Sequence, residues 1–382
     1  MTLTALTFVA MLLWAVLLLL PWRPWATRER LEAQASAADG AANLSDVVAL
    51  IPARNETQRI ADTLTSLRAQ GRDLRIVVVD DESEDNTSAL VEAFEGAEVT
   101  LVRGRPLPQG WTGKVWAQAQ GEPLLARPLV LLLDADIRLS PGMLVALRER
   151  LRQENLGLVS VMAELPMKNT WERVLIPAFV FFFKLLYPFR LVNAPKSPIA
   201  AAAGGCVLIK TGALKDIGGF AALKDALIDD CSLARTVKRH GHGIWIGLTR
   251  SAVSTRRYHR ISDIWNMVAR TAFTQLGYSL PMLGLCTLVM AVAFVAPATG
   301  LFTGDVGPIS FSALAIIFMA LSFLPTLKFY RLSPGLSLTL PLAGALFLAM
   351  TWTSAIRYFA GERSRWHGRA YGGWRRQERA SE

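Results

Sequence analysis

Residues 129–138 read LVLLLDADIR: five apolar residues run into two carboxylates, Asp134 and Asp136, with one small residue between them. The apolar run suits a strand buried on both faces, as in a parallel sheet. Open α/β sheets bind ligands beyond the carboxyl ends of their strands. Side chains two apart on an extended chain point to the same side. Asp134 and Asp136 could therefore offer oxygen to one hard cation, and through it to a diphosphate. A solvated turn in which aspartate is simply a good turn former is the competing reading of a lone D-x-D. Other charged and small residues lie near predicted element ends in the same stretch of chain. They are Pro52-Ala53-Arg54-Asn55-Glu56, Asp80-Asp81, Lys114, Gly204-Gly205 and Asp229-Asp230.

Bringing these groups together requires regular alternation of strands and helices. Residues 47–51 form an apolar run stopped by Pro52, and 54–67 fit a helix with Ile60, Leu64 and Leu67 on one face. Residues 75–79 are β-branched and end at Asp80 and Asp81; 87–94 fit a helix, 99–102 a third strand and 114–126 a helix. The 129–133 strand follows. Ser140-Pro141 then reads as an N-cap with Pro at the first helical position, ahead of a helix over 143–151. The pattern predicts a doubly wound α/β domain with a mostly parallel sheet. Beyond it, 174–192 contain FVFFFKLLYPF, interrupted by Lys184 and broken by Pro188. This segment reads as a helix in a membrane interface or over a greasy pocket rather than a span. Residues 199–209 read as a small-residue strand holding Gly204-Gly205, and 225–240 as a helix.

The chain has 382 residues, 52% of them hydrophobic, and a formal net charge of +10. The apolar excess gathers at both ends. Residues 3–22 carry no charge and have the length of a span; Arg23, Arg28 and Arg30 follow, favouring an uncleaved anchor over a signal peptide and a cytoplasmic domain after it. The expected organisation is an anchor over 1–24, a linker over 25–45, an α/β domain over 46–260, a membrane region over 261–360 and a basic tail over 361–382. Candidate spans are 280–301, 309–327 and 336–356. Three full spans would put the Arg-rich tail on the side opposite the domain, against the positive-inside rule. Either one segment is re-entrant, or a further span exists, or the tail is an exception. Anionic lipid accounts for the positive charge, and no nucleic-acid-binding motif is found. The three cysteines make no CxxC pair, which suggests neither a zinc site nor a disulfide framework. The four histidines show no ligand spacing.

The order and spacing of these motifs resemble the family 2 glycosyltransferases, with the nucleotide-sugar-binding fold called GT-A, over roughly residues 47–240. The whole chain, with its terminal membrane segments and the phrase GRPLPQGWTGKVWAQAQG, is similar to the hopanoid-associated glycosyltransferases of bacteria (the HpnB type). The resemblance implies a GT-A domain with membrane helices at both ends, in a bacterial inner (plasma) membrane. It implies transfer of a sugar from a nucleoside-diphosphate sugar, UDP-linked by preference, to a hydroxyl of a lipid acceptor, hopanoid or polyisoprenoid. Pro52, Ala53, Arg54 and Glu56 would lie against the donor nucleotide and sugar, where Glu56 could equally be a first-turn acid. Asp80, with Asp81, would accept from a uracil-like base, or serve as a turn aspartate. Lys114 would sit near the donor phosphates, or be a solvated helix-start lysine. Asp136, supported by Asp134, would bind Mg2+ or Mn2+ bridging the diphosphate. Asp230 would be the general base, with Asp229 beside it where the family more often has Glu; the alternative is N-terminal helix charge. Gly204 and Gly205 would let backbone approach the substrates, or pack a strand closely.

Processive synthases of this family carry Q-x-x-R-W after the acidic pair; this chain has none, and offers Arg256, Arg257 and Arg270 in that region. Single transfer is therefore expected. The second hypothesis is a non-catalytic membrane scaffold that binds nucleotide sugar. A nicotinamide oxidoreductase is excluded because no GxGxxG follows the first strand. A phosphatase with a nucleophilic D-x-D is disfavoured by the motif's place at the fourth strand, with no Thr at the required spacing.

Overall fold

The structure is a computed structural model that describes residues 2–37, 40–94, 98–366 and 369–372. Most of the basic tail expected over 361–382 lies outside the described residues. Eight strands form one sheet: β1 (Val47–Ala53), β2 (Arg75–Asp80), β3 (Val99–Arg103), β4 (Leu129–Leu133), β5 (Ile137–Leu139), β6 (Leu158–Glu164), β7 (Cys206–Lys210) and β8 (Ile244–Ser254). Their order is β3-β2-β1-β4-β7-β6-β8-β5. The first four neighbours are parallel, with Val47 opposite Leu129 and Ala53 opposite Asp80. β7 is antiparallel to both β4 and β6, β6 is parallel to β8, and β5 is antiparallel to β8. The sheet is thus mixed.

β1 and β4 are buried along their whole length. Alternate residues feed two cores: Val48, Leu50, Val130 and Leu132 on one face, Val47, Ala49, Ile51 and Leu131 on the other. This is the burial that an unbroken apolar run demands of a central parallel strand.

Ten helices accompany the sheet: α1 (Leu3–Leu19), α2 (Ile60–Arg68), α3 (Thr87–Glu92), α4 (Gly113–Gly121), α5 (Met143–Gln153), α6 (Thr170–Leu186), α7 (Phe189–Val192), α8 (Thr211–Asp216), α9 (Asp229–Arg239) and α10 (Ile261–Ala269). Three of these helices, and the segment before β7, differ from the sequence pattern. α2 begins only at Ile60, because Asn55 takes φ +54° and its side chain accepts from the Glu84 N–H at 2.8 Å. The 54–59 segment is a loop tied to the β2 tip, with the Arg54 guanidinium donating to the Asp81 and Glu82 carbonyls. α4 stops at Gly121 and passes into a 3-10 turn. α5 is entered through Gly142 at φ +84° rather than capped by Ser140; a Cβ at Gly142 would sit 2.3 Å from the Gln34 carbonyl. Residues 200–203 form no ladder before β7, because Ser160 Oγ both donates to the Ala203 carbonyl and accepts its N–H.

Three C-terminal helices, Leu280–Gly300, Val306–Phe329 and Pro334–Phe359, are long and apolar enough to cross a membrane; α1 is a shorter apolar helix. They form a third core with α6 through Trp14, Phe181, Phe294, Phe323 and Phe347. Their outward faces leave Val16, Leu288, Ile317 and Leu342 between 51% and 61% exposed, as a surface in contact with hydrocarbon requires. Val306–Phe329 ends against the domain, where Phe329 and Tyr330 join the sheet core. The last helix, Pro334–Phe359, therefore starts beside the domain. Its other end packs on α10 and the residues just after it: Thr353 accepts from Trp265, Ser354 accepts from the Phe273 N–H, and Arg357 donates to Asn266 at 2.8 Å.

Candidate active site

The carboxyl ends of β1 and β4 open into one cavity of about 1200 Å³, larger than the roughly 300–1000 Å³ usual for small-molecule sites. Pro52, Arg54, Glu56, Lys114, Asp134, Asp136, Gly204, Gly205, Asp229 and Asp230 all line it. Ala53, Asp80 and Asp81 do not line it.

Asp134 and Asp136 converge through a turn, not through strand alternation: β4 ends at Leu133, and the Ile137 N–H donates to the Asp134 carbonyl at 3.1 Å before β5 begins. Each aspartate faces a cation of the chain. Lys114 Nζ lies 2.8 Å from Asp134 Oδ1 and 3.4 Å from Asp229 Oδ2, so it clamps the β4 tip to the start of α9. Burial alone would lower the Lys114 ammonium, but Asp134 and Asp229 reverse that and hold it above its usual pKa. Burial raises the Asp134 carboxyl, with Lys114 opposing and Asp136 reinforcing. Asp136 Oδ2 accepts from Arg256 Nε at 3.0 Å and from Ser254 Oγ at 3.1 Å. The same guanidinium pairs with Glu56, whose carboxyl burial raises against the pull of Arg256. Arg256 thus bridges the tips of β1 and β4. The sequence noted it only as a basic residue after the acidic pair; its placement follows from the β5/β8 pairing, which no local pattern encodes.

Asp230 sits at the other wall. Its Oδ2 accepts the Gly204 N–H at 2.7 Å and its Oδ1 accepts the Cys231 N–H at 2.7 Å. Burial first, and then the charge of Asp229, push its pKa up to about 6, the range suited to a general base near neutral pH. A Cβ on Gly204 would lie 3.1 Å from Asp230 Oδ2 and 3.2 Å from Lys114 Nζ. One on Gly205 would make only ordinary contact with Ile137. A side chain at 204 would therefore crowd Asp230 and Lys114, whereas one at 205 would not.

Asp80 is engaged within its own turn: Ser83 and Ser88 donate hydroxyls to its two oxygens, and the Ser83 N–H donates to it at 3.2 Å. The Asp81 N–H donates to the Ala53 carbonyl at 2.8 Å, which ties β2 to β1.

A divalent ion suits this donor set. Asp134 and Asp136 are hard oxygen ligands on one short turn, and the acidic wall is already compensated by two side-chain cations. Among the described residues no group of three or more His, Cys, Asp or Glu gathers at metal-ligand spacing. An ion held here would complete its shell with phosphate and water, as Mg2+ usually does.

Away from the acids the same cavity turns apolar. Phe179, Phe182 and Phe183 of α6, Leu13, Trp14 and Leu17 of α1, Phe294 and Phe347 line it. α6 thus walls a greasy pocket.

Residues 48–218 match the family described as Glycosyl transferase family 2. A 4,4'-diaponeurosporenoate glycosyltransferase of Staphylococcus haemolyticus (strain JCSC1435) is 31% identical over 114 residues, 29% of this chain. The match spans only 30% of that relative's length. Among solved structures, a mannosyltransferase from Pyrobaculum calidifontis in complex with GDP-Man and Mn2+ superposes with a TM-score of 0.53 at 17% identity. That likeness covers 93% of this chain and 98% of the other. The fold is that of the GT-A glycosyltransferases.

Proposed function

We propose that this chain, whose residues 48–218 carry a family 2 glycosyltransferase domain, is a membrane-bound inverting transferase. It moves one sugar from a nucleoside-diphosphate sugar to a lipid hydroxyl. The observation that carries the reading is the single cavity in which the Asp134/Asp136 turn and Asp230 share space with the aromatic face of α6. The relatives' names support the transferase class: one is named as a glycosyltransferase of 4,4'-diaponeurosporenoate, and one was solved with a nucleotide sugar.

In this reading Asp136, with Asp134, would hold Mg2+ or Mn2+, which would supply charge neutralisation for the leaving nucleoside diphosphate. Asp230 takes the proton of the acceptor hydroxyl as that oxygen bonds to the anomeric carbon and the bond to phosphate breaks. Attack from the face opposite the phosphate inverts the carbon. Lys114, held protonated, stays beside the phosphate side of the site. Pro52, Arg54 and Glu56 form the donor wall, and Ala53, Asp81 and Asp229 hold its elements in place. Asp80 meets a uracil-like base only by exchanging a serine hydroxyl for it. The backbone at Gly204 and Gly205 borders the reacting sugar. A hopanoid or polyisoprenoid alcohol suits the apolar half, and the chain sits in a bacterial plasma membrane with its domain cytoplasmic.

The test is turnover of radiolabelled donor in membranes by Asp136→Asn and Asp230→Asn. Both variants are expected to lose transfer while wild type retains it; undiminished turnover by both would overturn the reading, and absence of turnover by wild type with every donor would favour a sugar-binding scaffold. Melting the detergent-solubilised protein with UDP-, GDP- and dTDP-sugars plus Mn2+ identifies the donor, since the ligand that binds the folded state raises Tm.

A further inference from the structure

The apolar half of the cavity has an opening of its own. α1 and the Leu280–Gly300 helix meet where Trp14 Nε1 donates to the Ala293 carbonyl at 2.9 Å and its ring meets Phe294 at 5.3 Å. From that point they part. α1 packs on residues 291–300 and on Val306–Phe329, whereas residues 280–290 pack on Pro334–Phe359, with Trp352 Nε1 donating to Thr287 at 3.0 Å. The vertex is a π-helical turn, Ala291–Val295, a local widening that bends helices and recurs at functional sites. Leu13 of α1 and Val289 lie on the two helices that part, and Leu186 is on α6. All three line the cavity, yet they are 42%, 46% and 61% exposed. Apolar side chains that line the cavity are thus left accessible on both helices that part.

We propose that this gap is a lateral portal through which a long-chain lipid alcohol enters from the bilayer, hydroxyl first, toward Asp230. The inference rests on the lipid-acceptor reading above and adds the route and the binding surface. The occupant follows from the cavity: its outer half is aromatic and aliphatic, its inner end carries Asp230 and Lys114, and its mouth opens among residues that face hydrocarbon. A water-soluble acceptor would gain nothing from that mouth, whereas a lipid reaches it without leaving the membrane.

Cys286 lines the cavity beside the gap and is partly exposed, while Cys206 and Cys231 are buried. The full-length protein in nanodiscs would be treated with N-ethylmaleimide, with and without farnesol, and separately photolabelled with a diazirine-bearing farnesol. Farnesol is expected to slow Cys286 alkylation several-fold. Photolabel is expected to concentrate on peptides holding Leu13–Leu17, Cys286–Ala293 and α6, and to fall several-fold in Val289→Trp but not in Leu314→Trp on the outer face. Unprotected Cys286, or label spread equally over Leu314 and Ile317 and unmoved by Val289→Trp, would overturn the portal. Neither readout needs a donor or turnover. Loss of the transferase reading by the aspartate variants would therefore leave this result standing, and the converse also holds.

Discussion

Asp230 concentrates the chemistry proposed here, and its surroundings fix how it should respond to pH. A base works in its ionised form, and burial with Asp229 alongside raises its pKa to about 6. The transfer rate kcat/KM should therefore fall as pH drops through about 6 and flatten above it. The same profile for Asp230→Asn should lose that limb along with roughly 10²–10⁴-fold of rate. The Gly204 contact makes a second prediction. A methyl group there must displace Asp230 or Lys114 by a few tenths of an ångström. Gly204→Ala should slow transfer roughly tenfold, because small misplacements of reacting groups are costly, while Tm hardly moves. Gly205→Ala should leave both close to wild type. Initial rates and melting curves on the pair separate a positioning effect from a folding defect. The types of the acidic residues were legible in the sequence. The reason one glycine of the pair matters was not, because it depends on a lysine 90 residues earlier reaching the same spot.

At the scale of elements, local pattern located β1, β2 and β4, whose apolar runs are buried on both faces, but marked no strand at β6 or β8, which are buried as deeply. β4 runs over the residues its apolar run marks, because no other placement hides Leu129–Leu133 from water. Where side chains of distant residues replace ladder or helix bonds, the pattern misled: Asn55 keeps α2 from starting early, and Ser160 ends the ladder before β7. The antiparallel β7 in the middle of the sheet was likewise invisible, since its residues carry no record of strand direction. The element that most needs support is α6. Glu172 closes its capping box and also accepts the Tyr258 N–H at 2.9 Å, joining the aromatic wall to the segment that carries Arg256. Glu172 is 1% exposed. Removing it in Glu172→Ala strands buried N–H groups and should cost about 1–3 kcal/mol of stability, read as a lowered Tm. A weaker ion pair between Arg256 and Asp136 should follow.

For the whole molecule, the sequence raised a conflict: three spans after a cytoplasmic domain would send a basic tail to the wrong side. The packing of Pro334–Phe359, which starts beside the domain and ends against α10, the helix that directly follows the domain, removes the conflict if that helix lies along the membrane rather than across it. Single cysteines at Ser333 and Ala360, in a Cys286→Ser background, should then react with an impermeant maleimide from the same face as the domain. One at Thr303, between the two preceding helices, should react only from the opposite face. Labelling of Ser333 and Ala360 from opposite faces would restore a third crossing. The bond from Trp14 to Ala293 has one more consequence, for biosynthesis. It joins α1 to a helix made almost 280 residues later, with the whole sheet domain made in between. The cavity thus lacks a wall until both the sheet domain and Leu280–Gly300 have been made, and a soluble fragment cut between α1 and that helix would retain the acids but lose the apolar half beside them.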